Sequence, residues 1–302
     1  MTGIEVDVQL LKEVMIDEVF KALGVSTAGW ARRRLGPIFA TATERFARLG
    51  VGFDQQVAEF GFCRAAQWVL TNFVREVTTA GGEDIPDRGS LLVVSNHPGT
   101  YDALVIASRL RRDDLKIIIG DIPFLCNLPR AKQHFLSLTE DMHMRMGVVR
   151  TGIRHLLEGG ALLVFPSGRI DPDPAVWSEA PRHLESWSPS VELFLRKVPQ
   201  TRLLITMVSG VLSAKWARSP ITWLRKEGLD RRRLAEFSQV IQQLLSPGRL
   251  LLSPSISFAP LMTTADLYGG EGLLQTVVSR AQSLLSKHMA WVMPKQSNVT
   301  PP

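Results

Sequence analysis

The stretch LLVVSNHPGTYDALVI, residues 91–106, changes character twice. Four apolar residues of β type lead into Ser95-Asn96-His97. A Pro98-Gly99 turn signal follows, and then an apolar run compatible with a helix. A strand that ends in a loop and feeds a helix is the repeating unit of a parallel sheet covered by helices. Ligands of such sheets gather outside the carboxyl ends of the strands. His97 stands at such an end. Asp102 falls in the first turn of the helix that Gly99 or Thr100 begins. A carboxylate there can reach one imidazole nitrogen, fix the tautomer and leave the other nitrogen to take a proton. The same two residues also read as a capping aspartate beside an ordinary loop histidine.

The alternation continues downstream. LKIIIG, ALLVF and RLLITMV read as strands, while MGVVRTGIRHLLEGG and SVELFLRKV read as helices, the first stopped by Gly159-Gly160. Upstream the period is helical, with Val8, Leu11, Met15 and Val19 on one stripe and Phe62, Ala66, Val69, Phe73 and Val77 on another. Gly24, Gly29, Gly36-Pro37 and Gly50 punctuate these segments. The expected fold class is α/β, a mixed, largely parallel sheet covered by helices, with an N-terminal helical bundle domain. Residues 1–82 form that helical domain, and residues 83–302 the α/β domain with a helical C-terminal segment that includes one β-like piece, LLSPSISF. The tail NVTPP is expected to fray.

A chain of 302 residues with 45% hydrophobic and 21% charged residues is globular and can bury a full core. Its net charge of +6 suits an anionic partner: a phosphorylated metabolite, an acidic carrier protein, an anionic membrane or nucleic acid. Nucleic acid is the poorest fit, since no recognition module accompanies the charge. Cys63 and Cys126 lack CxxC spacing, which argues against a zinc site or a disulfide framework. With no signal pattern and no long apolar span, the expectation is an intracellular protein, cytoplasmic or resting on a membrane surface.

A second stretch, LLVFPSGRIDPDP, residues 162–174, also runs from a strand into a loop. Gly168 permits close backbone approach and Arg169 offers a planar fork for phosphate, although a proline-rich surface turn would look the same. Together the two stretches resemble the glycerolipid acyltransferase superfamily. N-H-P-G-T-Y-D resembles its N-H-x-x-x-x-D signature, and F-P-S-G-R its F-P-E-G-T-R block. PSGRIDPDPAVWSEAP, residues 166–181, is similar in order to the soluble plastid glycerol-3-phosphate acyltransferase branch, as is a helical segment before the α/β domain.

The resemblance implies transfer of a fatty acyl group from an acyl carrier protein or acyl-coenzyme A to a hydroxyl of a glycerol phosphate or lysophospholipid. In it His97 is the general base and Asp102 its orienting partner. Gly168 and Arg169 bind phosphate, and Ser167 occupies the place where other branches carry glutamate. Direct transfer is implied, without cofactor or metal; the alternative is a transferase to a non-phosphate acceptor, or a non-catalytic lipid- or acyl-carrier-binding protein of the same fold. One departure stands out: the plastid branch has two arginines after the glycine, whereas Ile170 and Asp171 follow Arg169 here. Lys132, His134 and Arg150 are candidates for a further positive block, each equally readable as a solvated surface residue. Residues 213–233, SAKWARSPITWLRKEGLDRRR, set seven cations around Trp216 and Trp223. This suits a membrane interface or a docked acidic carrier, or else a solvated helix face with two core tryptophans.

Overall fold

The computed structural model describes residues 6–24, 30–139, 141–267 and 272–296. Gly29 and the tail at 298–302 lie outside them. Helix α1 (Val8–Leu23) starts where the Asp7 carboxylate accepts from the Gln9 and Leu10 amides, and Gly24 ends it at φ 65°. Helix α2 (Trp30–Phe60) is followed by α3 (Phe62–Leu70). The expected breaks at Gly36-Pro37 and Gly50 do not occur, and α2 runs through all three positions. Gly36 has no Cβ to clash with the following proline ring. Gly50 serves packing, because a Cβ there would collide with the Phe124 ring. Tertiary approach, not chain reversal, explains that glycine.

Among the described residues the strands are β1 (Thr78–Ala80), β2 (Leu91–Ser95), β3 (Lys116–Gly120), β4 (Phe135–Leu138), β5 (Ala161–Val164), β6 (Arg202–Ser209) and β7 (Ser255–Phe258). The intervening helices are α4 (Asp102–Leu110), α5 (Pro123–Cys126), α6 (Met142–Leu157), α7 (Ala180–His183), α8 (Ser190–Lys197), α9 (Ala214–Ala217) and α10 (Gly228–Leu245). Helix α11 (Leu273–Gln296) comes last. The sheet order is β1-β7-β6-β2-β5-β3-β4, parallel except between β6 and β7. β2 is central and its chain neighbours lie on both sides, so its carboxyl end opens where the strand order reverses.

Side chains alternate between two apolar layers. Leu91, Val93, Leu163 and Leu204 face a cluster that also holds Leu11, Phe53 and Phe62 of the N-terminal helices and Val240 of α10. Leu92, Val94, Leu162 and Ile205 face the layer of α8 and α11. Burial on both faces is why these strands read as unbroken apolar runs. The N-terminal helices thus share their core with one face of the sheet, and strand β1, at 78–80, already belongs to it. Among the described residues, no helix is long and apolar enough to cross a membrane.

Candidate active site

The site lies at the carboxyl ends of β2, β5 and β6. After β2 the Asn96 side chain bridges to β6, donating to Val208 O at 2.8 Å and accepting from Val208 N at 2.9 Å. This double bond fixes where His97 leaves the sheet. His97 Nδ1 meets Asp102 Oδ2 at 2.7 Å, and the imidazole stacks on Phe165, the residue after β5, with ring centroids 4.5 Å apart. Asp102 is buried; its Oδ2 also accepts from Gly99 N at 3.1 Å and its Oδ1 from Ala103 N. Thr100 does not cap the helix, since its hydroxyl turns instead to Glu236 Oε2 at 3.1 Å. With Nδ1 engaged, Nε2 is the nitrogen available for proton transfer.

The loop after β5 is held by two aspartates. Asp171 Oδ2 accepts from His97 N at 2.9 Å and from the Ser167 hydroxyl at 3.1 Å, while Asp171 N donates to His97 O at 2.7 Å. Asp173 accepts from the amides of Ala175, Gly210, Val211 and Leu212, which ties this loop to the one after β6. Gly168 sits at φ 64°, a turn that favours glycine, and Arg169 is exposed beside it. The second residue after Arg169, where the resemblance has its departure, is therefore a structural anchor for the histidine loop.

Helix α10 closes the site from above with an inward polar stripe at helical spacing. Glu236 meets Thr100, Gln239 bonds Ser213 N and Val211 O, and Gln243 accepts from the Tyr101 hydroxyl at 2.7 Å. Burial works to lower the His97 pKa, but the charge and hydrogen bond of Asp102, helped by Glu236 and Asp171, outweigh it and raise it to about 9. Burial pushes Asp171 up to about 6 and Glu236 up to about 8.

Of the residues singled out in the sequence, His97, Asp102, Ser167, Gly168 and Arg169 come together. Lys132 and His134 do not. They precede β4, at the opposite end of the strands, where His134 bonds Leu115 O at 2.9 Å and stacks on Phe62. Arg150 is exposed on α6 and turns back to Met146 O of its own helix. Trp223 is no core residue: it is 72% exposed, beside Leu224 at 74%. Trp216 is half-buried and donates to Gln242 Oε1 at 2.6 Å. Asn96, Asp173, His183 and Glu236 were not singled out in the sequence, Asp171 stood there only as a departure from the resemblance, and Arg232 only as one of the seven cations of residues 213–233. For Glu236 the available signal was the polar spacing 236, 239, 243 along one helix face.

Residues 76–184 match the protein-family model described as Acyltransferase. Uncharacterized proteins of Mycobacterium bovis and Mycobacterium tuberculosis are 28% identical over 174 residues, covering 51% of this chain and 46% of theirs. The chain spans about half the length of these curated relatives. The crystal structure of the 1-acyl-sn-glycerophosphate (LPA) acyltransferase of Thermotoga maritima aligns at a TM-score of 0.46 and 15% identity, covering 94% of this chain and 97% of that one. The matched segment runs from β1 through α7 and carries both His97 and Arg169.

Proposed function

We propose that the chain is an O-acyltransferase that moves a fatty acyl group from a thioester, on coenzyme A or a carrier protein, to a hydroxyl of a glycerol phosphate or lysophospholipid. The observation that carries this reading is the 2.7 Å pair of His97 Nδ1 and buried Asp102 at the end of the central strand, within the segment that matches the acyltransferase model. His97 Nε2 takes the acceptor's hydroxyl proton as that oxygen attacks the thioester carbonyl. Asp102 stabilises the imidazolium, as in triad chemistry. Collapse of the tetrahedral adduct breaks the carbon–sulfur bond, and the imidazolium returns its proton to the departing sulfur. Arg169, exposed at the rim of the same loop, suits the acceptor's phosphate.

The segment around residues 220–226 supports a further element of the reading, contact with an anionic bilayer. Exposed Trp223 and Leu224 project beside Arg218 and Lys226, an arrangement that suits the interface.

The test is His97→Ala with a labelled acyl thioester and a panel of acceptors. Turnover should fall by about 10²- to 10⁴-fold, as expected for loss of a positioned base. Stability should fall by about 1–3 kcal/mol, since the substitution removes the 2.7 Å bond to the buried Asp102 as well as the ring stack on Phe165, and a melting curve verifies that the variant stays folded. Near-normal turnover would refute the mechanism.

A further inference from the structure

Seven buried side-chain polar atoms lack a hydrogen-bond partner among the described residues, and four belong to this site: Asp171 Oδ1 and His183 Nδ1, which face each other at 3.8 Å, and Arg232 Nε and Glu236 Oε1. Native proteins leave few such atoms, and a cluster of them calls for a missing partner. Arg232 is the informative member. It lies four residues before Glu236 on α10, so helical geometry sets it next along the inward polar stripe, over the loop after β5. Asp171, Arg169, Glu179 and Glu236 all act on it electrostatically, and both Arg232 and Arg169 act on His183.

A structural arginine here would pair with a carboxylate, yet among the described residues Arg232 has none within ion-pair distance. Asp171 spends Oδ2 on His97 N and Ser167, and Glu236 spends Oε2 on Thr100. Its chain neighbours are occupied elsewhere. Arg231 Nε donates to Arg225 O at 2.8 Å, and Arg233 Nη1 lies 3.9 Å from Asp230 Oδ1. The three consecutive arginines are therefore three different things, and residues 213–233 do not form a single basic face.

We propose that Arg232 is the second cation of an anion cradle with Arg169, and that it holds the phosphate of the acceptor from the α10 side. The planar guanidinium suits a phosphate through two parallel donors, and a half-buried one binds it more tightly than a solvated one. The assignment rests on the proposed function, with the acceptor a phosphomonoester.

The experiment titrates glycerol 3-phosphate and inorganic phosphate into the full chain by calorimetry, with no acyl donor present. Arg232→Met, which keeps the apolar stem, should weaken both by on the order of tenfold or more, the size expected of one charge-assisted pair. Arg232→Lys should recover part of the loss, and Arg231→Met and Arg233→Met should stay within about twofold of wild type. Should Arg232→Met fold poorly, the comparison of Arg232→Lys with wild type decides: equal affinity overturns the assignment. Wild-type affinity in Arg232→Met, or equal losses in all three arginine variants, also overturns it. Because binding is read without turnover, absence of acyl transfer would sink the proposed function and leave the titration to decide on Arg232. Normal transfer with an unaffected Arg232→Met titration would sink the arginine assignment alone.

Discussion

His97 is held as a stronger base than a free imidazole, and that has a kinetic cost. With a pKa near 9, the ring is mostly protonated at neutral pH and must lose its proton before it can accept one. Turnover per free enzyme should therefore rise about tenfold per pH unit until it levels near pH 9. In Asp102→Asn the chief stabilising charge is gone, so the limb should move to lower pH while the maximal rate drops at least about tenfold. Measured pH profiles of the two proteins check this. An unmoved limb with a raised acceptor KM would make Asp102 a substrate contact. The His97–Asp102 pair was legible because its two members lie five positions apart on one strand–loop–helix unit. Asp171 was not, because its role depends on hydrogen bonds to the His97 backbone 74 residues away.

Helices and loops were legible to the degree that burial shaped their sequence. β2, β5 and β6 stood out because both faces are covered and, apart from Ser95, Arg202, Thr206 and Ser209, their positions are apolar. The breaks expected in α2 were wrong because a glycine in a helix can serve close approach as well as termination, as the Phe124 ring against Gly50 shows. Helix α10 hid its function for the opposite reason: residues that look solvated, Glu236, Gln239 and Gln243, face inward to loop amides and hydroxyls. The element at residues 220–224 misled through its tryptophan, which burial does not claim. If Trp223 and Leu224 enter a bilayer, replacing both with Ala should lower partition onto anionic vesicles by tenfold or more, since each buried side chain contributes roughly 1.5–3 kcal/mol. The melting temperature should stay nearly unchanged, because surface substitutions usually fall within about 0.5 kcal/mol. Sedimentation with vesicles at low salt reads the first effect. Equal sedimentation of variant and wild type would remove this element from the membrane reading.

At the scale of the molecule, the charges crowded at one end of the sheet give stability a pH dependence of definite sign. His97 rises from 6.5 to about 9 and Glu236 from 4.5 to about 8 on folding. Groups raised in the folded state stabilise it fully below their unfolded values, and that contribution is lost as pH climbs through the folded ones. The melting temperature should thus decline between about pH 6.5 and 9, and Glu236→Gln should flatten the decline up to pH 8. His288, lowered to about 4 by burial, acts below pH 6.5, where its contribution is lost as pH falls, so the window above is the one to measure. A melting temperature that climbs from pH 6.5 to 9 would contradict the assignment. The site is also assembled from parts made at very different times. His97 and Asp102 lie five positions apart, whereas the contacts that set them come late: His97 N waits for Asp171, Asn96 for Val208, Thr100 for Glu236, 136 residues on, and β1 for β7. A nascent chain therefore carries both members of its proton-transfer pair long before β6 and α10 arrive to set and roof them, so the site is among the last things that synthesis completes.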